Sequence, residues 1–389
     1  MTLRGATAIV GAADTEVGKL PHVSATDLCV QAAVAAVRDA GLTMADVDGL
    51  VTCNSMAQPY MYHAEAIAEY LQIEPRYCAT APAGGGATFT VLYQAALAIQ
   101  AGLCEVVVIS MADSLRTGLT REQAMVMQSS SGHAQYETPY GCTVPGYYAL
   151  VAQAYMHEFG ARPEDFATVA VQARTHASLH PGAEMRTPIT VDDVLDSRLI
   201  ADPLRLLDCS LVSDGGAAVV LTSAERAADL SQPPVFLLGA GEGRGHEHIS
   251  QARSLVTSSA ALSGPRALEM AGCSVGDLSF AQVYDCFTPV VLIELEDLGF
   301  CPKGEAGAYV RSGATALGGA LPINTHGGLL SHSHPGNPGS MFALTESVAQ
   351  LRGAAGERQV PDAELGLVHA QGGILSSHCT VVLGTGAVL

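Results

Sequence analysis

The chain predicts an α/β fold made of two similar halves, each a largely parallel sheet covered by helices on both faces. Three observations carry this. Runs of β-branched residues alternate with alanine-rich segments of helical length, the pattern of successive βα units. The stretch Ala40-Gly41-Leu42-Thr43-Met44-Ala45-Asp46-Val47 recurs as Ala271-Gly272-Cys273-Ser274-Val275-Gly276-Asp277-Leu278, with a strand expected after each copy, so one βα unit is duplicated. And 389 residues at 48% apolar content can bury more core than one simple layer unit, which suits two lobes of similar size.

The elements follow in order. Residues 6–10 form the first strand, and a helix runs from about 24 to 40 with Ser24 or Thr26 as its cap. A strand at 50–53 comes next. A helix over about 88–101 then leads through Gly102 into the strong strand at 105–109. A helix at about 147–159 and a strand at 217–221 complete the first half. Pro233-Pro234 marks the boundary, and the strand at 235–238 starts the pattern again. Strands at 281–285, 321–323 and 379–383 and a helix at 341–352 repeat the order of the first half. The resulting division is a first half over residues 1–230 and a second over 231–389. The first carries an inserted loop region at about 115–208, in two pieces, 115–145 and 175–208. Loops of that length are lids or interfaces.

Composition narrows the functions. A net charge of −19 argues against a nucleic-acid or anionic-membrane partner, which would need a basic face. No apolar run approaches the length of a membrane span. The ten cysteines are scattered with no CxxC, so reduced thiols in the cytoplasm fit better than disulfides or a zinc site. Aromatics make up 5% of the chain and Trp is absent, so helices are expected to pack closely on the sheet through small residues.

The chemistry concentrates in Ile323-Asn324-Thr325-His326-Gly327-Gly328-Leu329-Leu330-Ser331-His332-Ser333-His334-Pro335-Gly336. Imidazoles exchange protons near neutral pH or donate to an oxyanion, and glycines let the backbone approach a ligand closely. His332 reads as solvated. The three histidines share one glycine-rich loop, a poor frame for a rigid tetrahedral metal site, so no metal is expected. Asp214 with Gly215 and Gly216 reads as a structural turn ahead of a buried strand.

Three groups of residues extend this to a family. They are Asn324-Thr325-His326-Gly327-Gly328 with Ser333-His334-Pro335-Gly336; Tyr284-Asp285-Cys286-Phe287; and Val212-Ser213-Asp214-Gly215-Gly216-Ala217-Ala218. Over essentially its whole length the chain resembles the thiolase superfamily, in the branch related to the thiolase part of sterol carrier proteins. The resemblance implies duplicated βαβαβαββ halves of five strands each, in a five-layer αβαβα arrangement. It also implies a dimer formed by extending the first sheet through the strand near 105–109 or one next to it.

Ordinary members of that family carry a nucleophilic cysteine at the amino end of a buried helix, where orphan N–H groups and the helix dipole lower the thiol pKa. Counting back from Gly102, that position falls on Gly85, inside Pro82-Ala83-Gly84-Gly85-Gly86. Cys78 lies seven residues earlier and reads as a small strand residue. The family's second cysteine is missing as well: its loop here is Ala370-Gln371-Gly372-Gly373, with His378 nearby. The chain shares the glycine triplet and Tyr284-Asp285-Cys286-Phe287-Thr288-Pro289 with aldolases of steroid side-chain breakdown, which cleave β-hydroxyacyl-CoA thioesters by retro-aldol chemistry. It departs from them at His334, where a second tyrosine is expected.

The resemblance therefore implies an acyl-CoA carbon–carbon lyase acting on a steroid or aromatic side chain. The alternatives are an acyl-CoA thiolase that draws on another cysteine, or a subunit needing a small zinc-ribbon/OB-fold partner. The implied catalytic set is Tyr284 as base, His334, Cys286 as acid/base, and Asn324 with His326 orienting a water or the thioester oxygen. Gly84, Gly85, Gly86 and Gly373 would serve as oxyanion donors, with no cofactor beyond the coenzyme A of the substrate.

Overall fold

A computed structural model describes residues 3–81 and 84–389; Met1-Thr2 and Pro82-Ala83, the latter just ahead of the glycine triplet, lie outside the described residues. The strands of the main sheet in the first half are β1 (Thr7–Asp14), β2 (Gly49–Cys53), β3 (Tyr77–Ala81) and β4 (Val106–Ser114). A small hairpin of β5 (Leu199–Ala201) and β6 (Leu204–Arg205) stands apart, and β7 (Asp214–Ser223) returns to the main sheet. The second half contributes β8 (Val235–Arg244), β9 (Phe280–Gln282), β10 (Leu365–Gly372) and β11 (Ser377–Gly384). Their order is β3-β2-β4-β7-β1-β8-β11-β10-β9.

The order reads nearly the same from both ends, as a duplication requires. In the first half β2 runs parallel to β3 and β4, and β7 is antiparallel to β4 and β1. In the second, β9 is parallel to β10, and β11 is antiparallel to β10 and β8. The repeated eight residues fold alike: Thr43 and Ser274 each hand their N–H to an aspartate three residues on, Asp46 at 2.9 Å and Asp277 at 2.8 Å. Each then enters the matching strand, β2 or β9. The halves meet at β1 and β8, through only two residue pairs, Ala8 with Phe236 and Ile9 with Val235.

The second half has four strands, not the five expected. What should be the fifth is a single parallel bridge between Ala281 and Ile323. Pro322 has no N–H to give a ladder, and Asn324 turns into the left-handed region at φ 46°, so the strand ends after one residue. The strand named first for joining two subunits, β4, is paired along its length by β7 and over residues 107–109 by β2. Both of its neighbours are interior strands, whereas β3 forms the outer edge of this half among the described residues.

Helices cover the sheet as expected. Ala25–Asp39 packs on β1, β4 and β7, and Ala260–Ala271 packs on β8 and β11. Ala87–Gln100 and Gly339–Leu351 touch strands of both halves, forming a shared middle layer. The alternation is therefore α, β, α, β, α. Ser24 caps the first helix, accepting from the Asp27 N–H, because its hydroxyl satisfies a donor left over in the first turn. Small residues do set the helix-to-sheet spacing: a Cβ at Gly239, Gly241 or Gly243 of β8 would lie within 2.2 Å of a carbonyl of the helix above.

The two pieces expected as loops hold short helices, Arg121–Ser129 and Val191–Asp196, and Pro163–Ser178 between them runs into the second; Val144–Phe159 is the helix expected at about 147–159. Their start signals were present in the sequence: Thr120 with Gln123, and Thr190 with Asp193, are capping boxes, and Pro163 occupies a first-turn position.

Gly241→Ala should test the packing. Its methyl would meet the Ser263 carbonyl at 2.2 Å, an overpacking of the kind that costs about 1–3 kcal/mol, read as a lower urea midpoint at unchanged slope.

Candidate active site

A cavity of about 550 Å3 opens where the middle helices begin. Gly84, Gly85, Gly336 and Asn337, at the amino ends of those two helices, form its floor. The helical insertion supplies an apolar roof of Leu115, Leu119, Met127, Val144, Ile200 and Leu206. Tyr284, Cys286, Phe287, Ser210, His334, Gln371 and Gly373 complete the wall. Arg198, at the rim, is the one arginine or lysine among the described lining residues.

The decisive contact lies beside Gly85. A Cβ built there would come within 2.6 Å of the Tyr284 ring, 2.7 Å of its hydroxyl and 2.7 Å of the Gln371 carbonyl. The phenol thus occupies the space into which a side chain on this helix terminus would project. The Tyr284 hydroxyl reaches His334 Nε2 at 3.3 Å, with the two rings nearly perpendicular at 87°. On the far side of the imidazole, Nδ1 meets Ser210 Oγ at 2.7 Å. The loop around His334 is tied to the segment before β7: the Ser213 N–H donates to the His334 carbonyl at 3.1 Å, and the His334 N–H to Ser213 Oγ at 3.1 Å. Ser213 Oγ in turn donates to Glu184 at 2.7 Å.

Protonation follows from burial. Desolvation disfavours charged forms, so the Tyr284 phenol is pushed well above its ordinary value and stays protonated. His334 is pushed down to about 4 and stays neutral. A neutral imidazole fits this dyad in either tautomer: Tyr284 donates to Nε2 with the ring proton on Nδ1 facing Ser210, or Ser210 donates to Nδ1 with the proton on Nε2. The first leaves Nε2 able to accept a proton from the phenol. With its phenol held protonated, Tyr284 is set beside His334 Nε2, the neighbour to which it would have to relay a proton to act as a base. Burial likewise holds the Cys286 thiol well above its usual range, and its sulfur accepts from Gln371 Nε2 at 3.2 Å. Cys209, the other thiol on the wall, is pushed up to about 12 by burial. Neither is a thiolate at neutral pH.

Three more expectations are corrected. Asn324 does not face the cavity; its Oδ1 accepts the Val283 N–H at 2.8 Å, and this holds the irregular stretch that follows β9. His326 is buried away from the cavity and packs on His332, with ring centroids 5.4 Å apart. His332 is buried too, not solvated, and its Nδ1 pairs with Ser333 Oγ at 2.9 Å. Both histidines are held well below their ordinary pKa, first by desolvation. Among the glycines, the Gly84 N–H is already committed to Asn337 Oδ1 at 2.9 Å. Gly86 faces the Ser377 carbonyl instead of the cavity. Gly85 lines the cavity, and its N–H has no such commitment among the described residues. Gly373 lines the wall, and its carbonyl accepts from Tyr148 at 2.9 Å. Cys78 sits on β3, opposite Leu50, and does not line the cavity.

Sequence reasoning missed Ser210, Asn337, Gln371 and Tyr148. Ser210 stands three residues before Ser213-Asp214-Gly215, and Asn337 directly follows the His334-Pro335-Gly336 motif, so proximity to motif residues was the available signal. Asp214 is structural as expected, accepting from the backbone of Leu20, Arg116 and Thr117.

Residues 7–225 match the family model for the thiolase N-terminal domain, and residues 241–385 match that for the thiolase C-terminal domain-like family. The chain belongs to the thiolase family. Within it, the chain is 38% identical over 367 residues to a steroid side-chain-cleaving aldolase of Thermomonospora curvata, covering 91% of this chain and 92% of that one. It is 33% identical over 374 residues to an acetyl-CoA acetyltransferase of Methanothermobacter thermautotrophicus, covering 94% and 96%. Both relatives are enzymes. Among solved structures the Ltp2-ChsH2(DUF35) aldolase superposes with a TM-score of 0.88 at 36% identity, covering 99% of each chain.

Because the phenol and a side chain at residue 85 compete for one space, Gly85→Cys should not make an acylating enzyme. Incubated with acetyl-CoA, the variant should show no acetyl adduct on the introduced thiol by mass spectrometry. Gly85→Ala should displace Tyr284 and lower turnover on the order of 10²-fold, the scale of a 1 Å misplacement.

Proposed function

We propose that this protein is an acyl-CoA carbon–carbon lyase that cleaves a β-hydroxyacyl-CoA by retro-aldol chemistry. The observation that carries it is the Tyr284 phenol seated between Gly85 and His334 Nε2. A thiolase needs a nucleophile on that helix terminus, and here a proton relay fills the position.

The steps balance as follows. The β-hydroxyl of the substrate gives its proton to the Tyr284 oxygen as Tyr284 passes its own to His334 Nε2. The bond between the α and β carbons breaks, and its electron pair moves into the thioester as an enolate. The Gly85 N–H, at the positive end of Ala87–Gln100, and the new imidazolium stabilise that charge. The proton on His334 then returns through Tyr284 to the α carbon. The products are a ketone or aldehyde and a shortened acyl-CoA. Coenzyme A arrives with the substrate, and no further cofactor takes part. The aldolase relatives and the apolar cavity support a bulky acyl group of steroid or aromatic type. The thiolase reading rests on the acetyltransferase relative; the absence of a ready thiolate on the cavity wall weighs against it.

Tyr284→Phe should cut cleavage by about 10²-fold or more, the scale of a lost general acid–base group, whereas Cys286→Ala and Cys209→Ala should each lose less than about tenfold. In the same assay kcat/KM should hold down to about pH 4 and fall below it. His334 accepts a proton only when neutral, and its value is lowered to about 4. An acyl adduct on any cysteine after incubation with acyl-CoA would sink the lyase in favour of a thiolase.

We also propose assembly with further chains. Among the described residues β3 is the outer strand, which suits a homodimer built by sheet extension. Met61 and Tyr62, just ahead of the helix whose Ala64 N–H donates to Thr80 of β3, are 90% and 67% accessible, and the name of the solved relative pairs Ltp2 with a second subunit, ChsH2. Sedimentation at micromolar concentration should give a dimer alone, and a larger complex when a small zinc-ribbon/OB-fold subunit is added. No described helix is long and apolar enough to cross a membrane, and the ten cysteines are all unpaired, which suits a reducing cytoplasm.

A further inference from the structure

Behind Tyr284, away from the cavity, lies a second cluster that the reaction above does not use: Glu294, His369 and His378, each at most 1% exposed. Glu294 sits on the helix Thr288–Asp297, and the two histidines sit on β10 and β11. Glu294 Oε2 accepts the Tyr284 N–H at 2.8 Å. Its Oε1 has no hydrogen-bond partner among the described residues and lies 3.5 Å from His369 Nε2. No described arginine or lysine is within ion-pair distance of it.

We propose that Glu294 is a positioning residue for this reaction: its side chain fixes the main chain at Tyr284 and so sets the phenol between Gly85 and His334. The inference rests on the lyase reading for its consequence, but its geometry stands apart from it. Tyr284 follows β9 where the chain leaves the sheet, so its buried N–H has no ladder partner and needs a side-chain acceptor. Asn324 performs that service for Val283, and Asp285 receives the N–H groups of Leu329 and Leu330. Glu294 completes the set. If its acceptor were lost, the stretch 283–286 could shift, and the phenol with it.

The state of the carboxyl follows from its surroundings. A buried carboxylate with no cation is strongly disfavoured, and burial together with the nearby Asp297 raises Glu294, so it is a neutral acid. One oxygen, Oε2, accepts from the Tyr284 N–H, and the other, Oε1, lies 3.5 Å from His369 Nε2 without a hydrogen bond. His369 remains neutral as well, pushed down to about 3 by burial, with Nδ1 on Thr380 Oγ1 at 2.8 Å. The same three residues have the composition of a metal site, with one ligand atom each inside a 4.8 Å circle. The rings argue against it. The closest nitrogens of His369 and His378 are 3.1 Å apart, while the centroids are 5.3 Å apart and the planes 22° apart. The rings therefore meet edge to edge as an N–H···N hydrogen bond, with their nitrogens pointing at each other instead of converging on an ion.

Glu294→Gln and Glu294→Leu separate the possibilities. Glutamine keeps the shape and a carbonyl to accept from the Tyr284 N–H, so kcat should stay within about threefold of the parent. Leucine keeps the volume but offers no acceptor, so kcat should fall on the order of 10²-fold, as expected for a small misplacement. KM should stay within about twofold, since the side chain does not line the cavity. Infrared difference spectra of the resting protein at pH 7, parent minus Glu294→Gln, should show a protonated carboxylic acid band. That measurement needs no substrate, so it decides the state of Glu294 even if the lyase reading fails, and kcat can be read on whichever acyl-CoA is turned over. Three results would overturn the proposal: a glutamine variant as impaired as the leucine one, unchanged kcat in the leucine variant, or stoichiometric metal in the purified protein.

Discussion

One small volume beside Gly85 governs this site. It can hold a side chain on the helix terminus or the phenol of Tyr284, never both, because a Cβ there would overlap the ring at 2.6 Å. An acyl-transfer enzyme and a proton-relay enzyme therefore require opposite occupants of the same space. Everything else in the cavity is arranged around the second choice. His334 is presented with Nε2 toward the phenol because Ser210 takes the other nitrogen, and the two cavity thiols are kept protonated by their burial.

The polar groups near the site divide into two classes by where they point. Tyr284, His334 and Gly85 line the cavity. Asn324 and Glu294 face away and accept the backbone N–H groups of Val283 and Tyr284, and Asp285, on the same irregular stretch, accepts from Leu329 and Leu330. Buried donors outside sheet or helix must be paired, and a loop held by three side chains has little freedom left. The second class costs stability through desolvation, and its return is the placement of one phenol.

Much of the fold was legible because it depends on local patterns. The recurring eight residues and the alternation of strand and helix are short-range signals, and they identified the duplication. What failed depended on long-range pairing. Whether Ile323 begins a full strand is decided by Pro322 and by the left-handed Asn324, and whether β4 lies at an edge or inside is decided by which strands reach it. The site behaved in the same way. Tyr284, Cys286, His334 and Gly85 were legible from motifs. Asn324 and His326 belong to the same motif as His334, but sequence adjacency did not reveal that they point into the protein. Ser210 and Gln371 are contributed by other segments, and only the packing brings them to the site.

The two halves of the sheet share only two residue pairs across the β1–β8 junction, yet the cavity takes its floor from both halves and its roof from an insertion in the first. An occupant of that cavity touches both halves at once. Its binding energy is then coupled to the docking of one half on the other, since a ligand that binds only the docked form shifts the balance toward it. A molecule held in that cavity would in this sense add a further layer of packing between the halves.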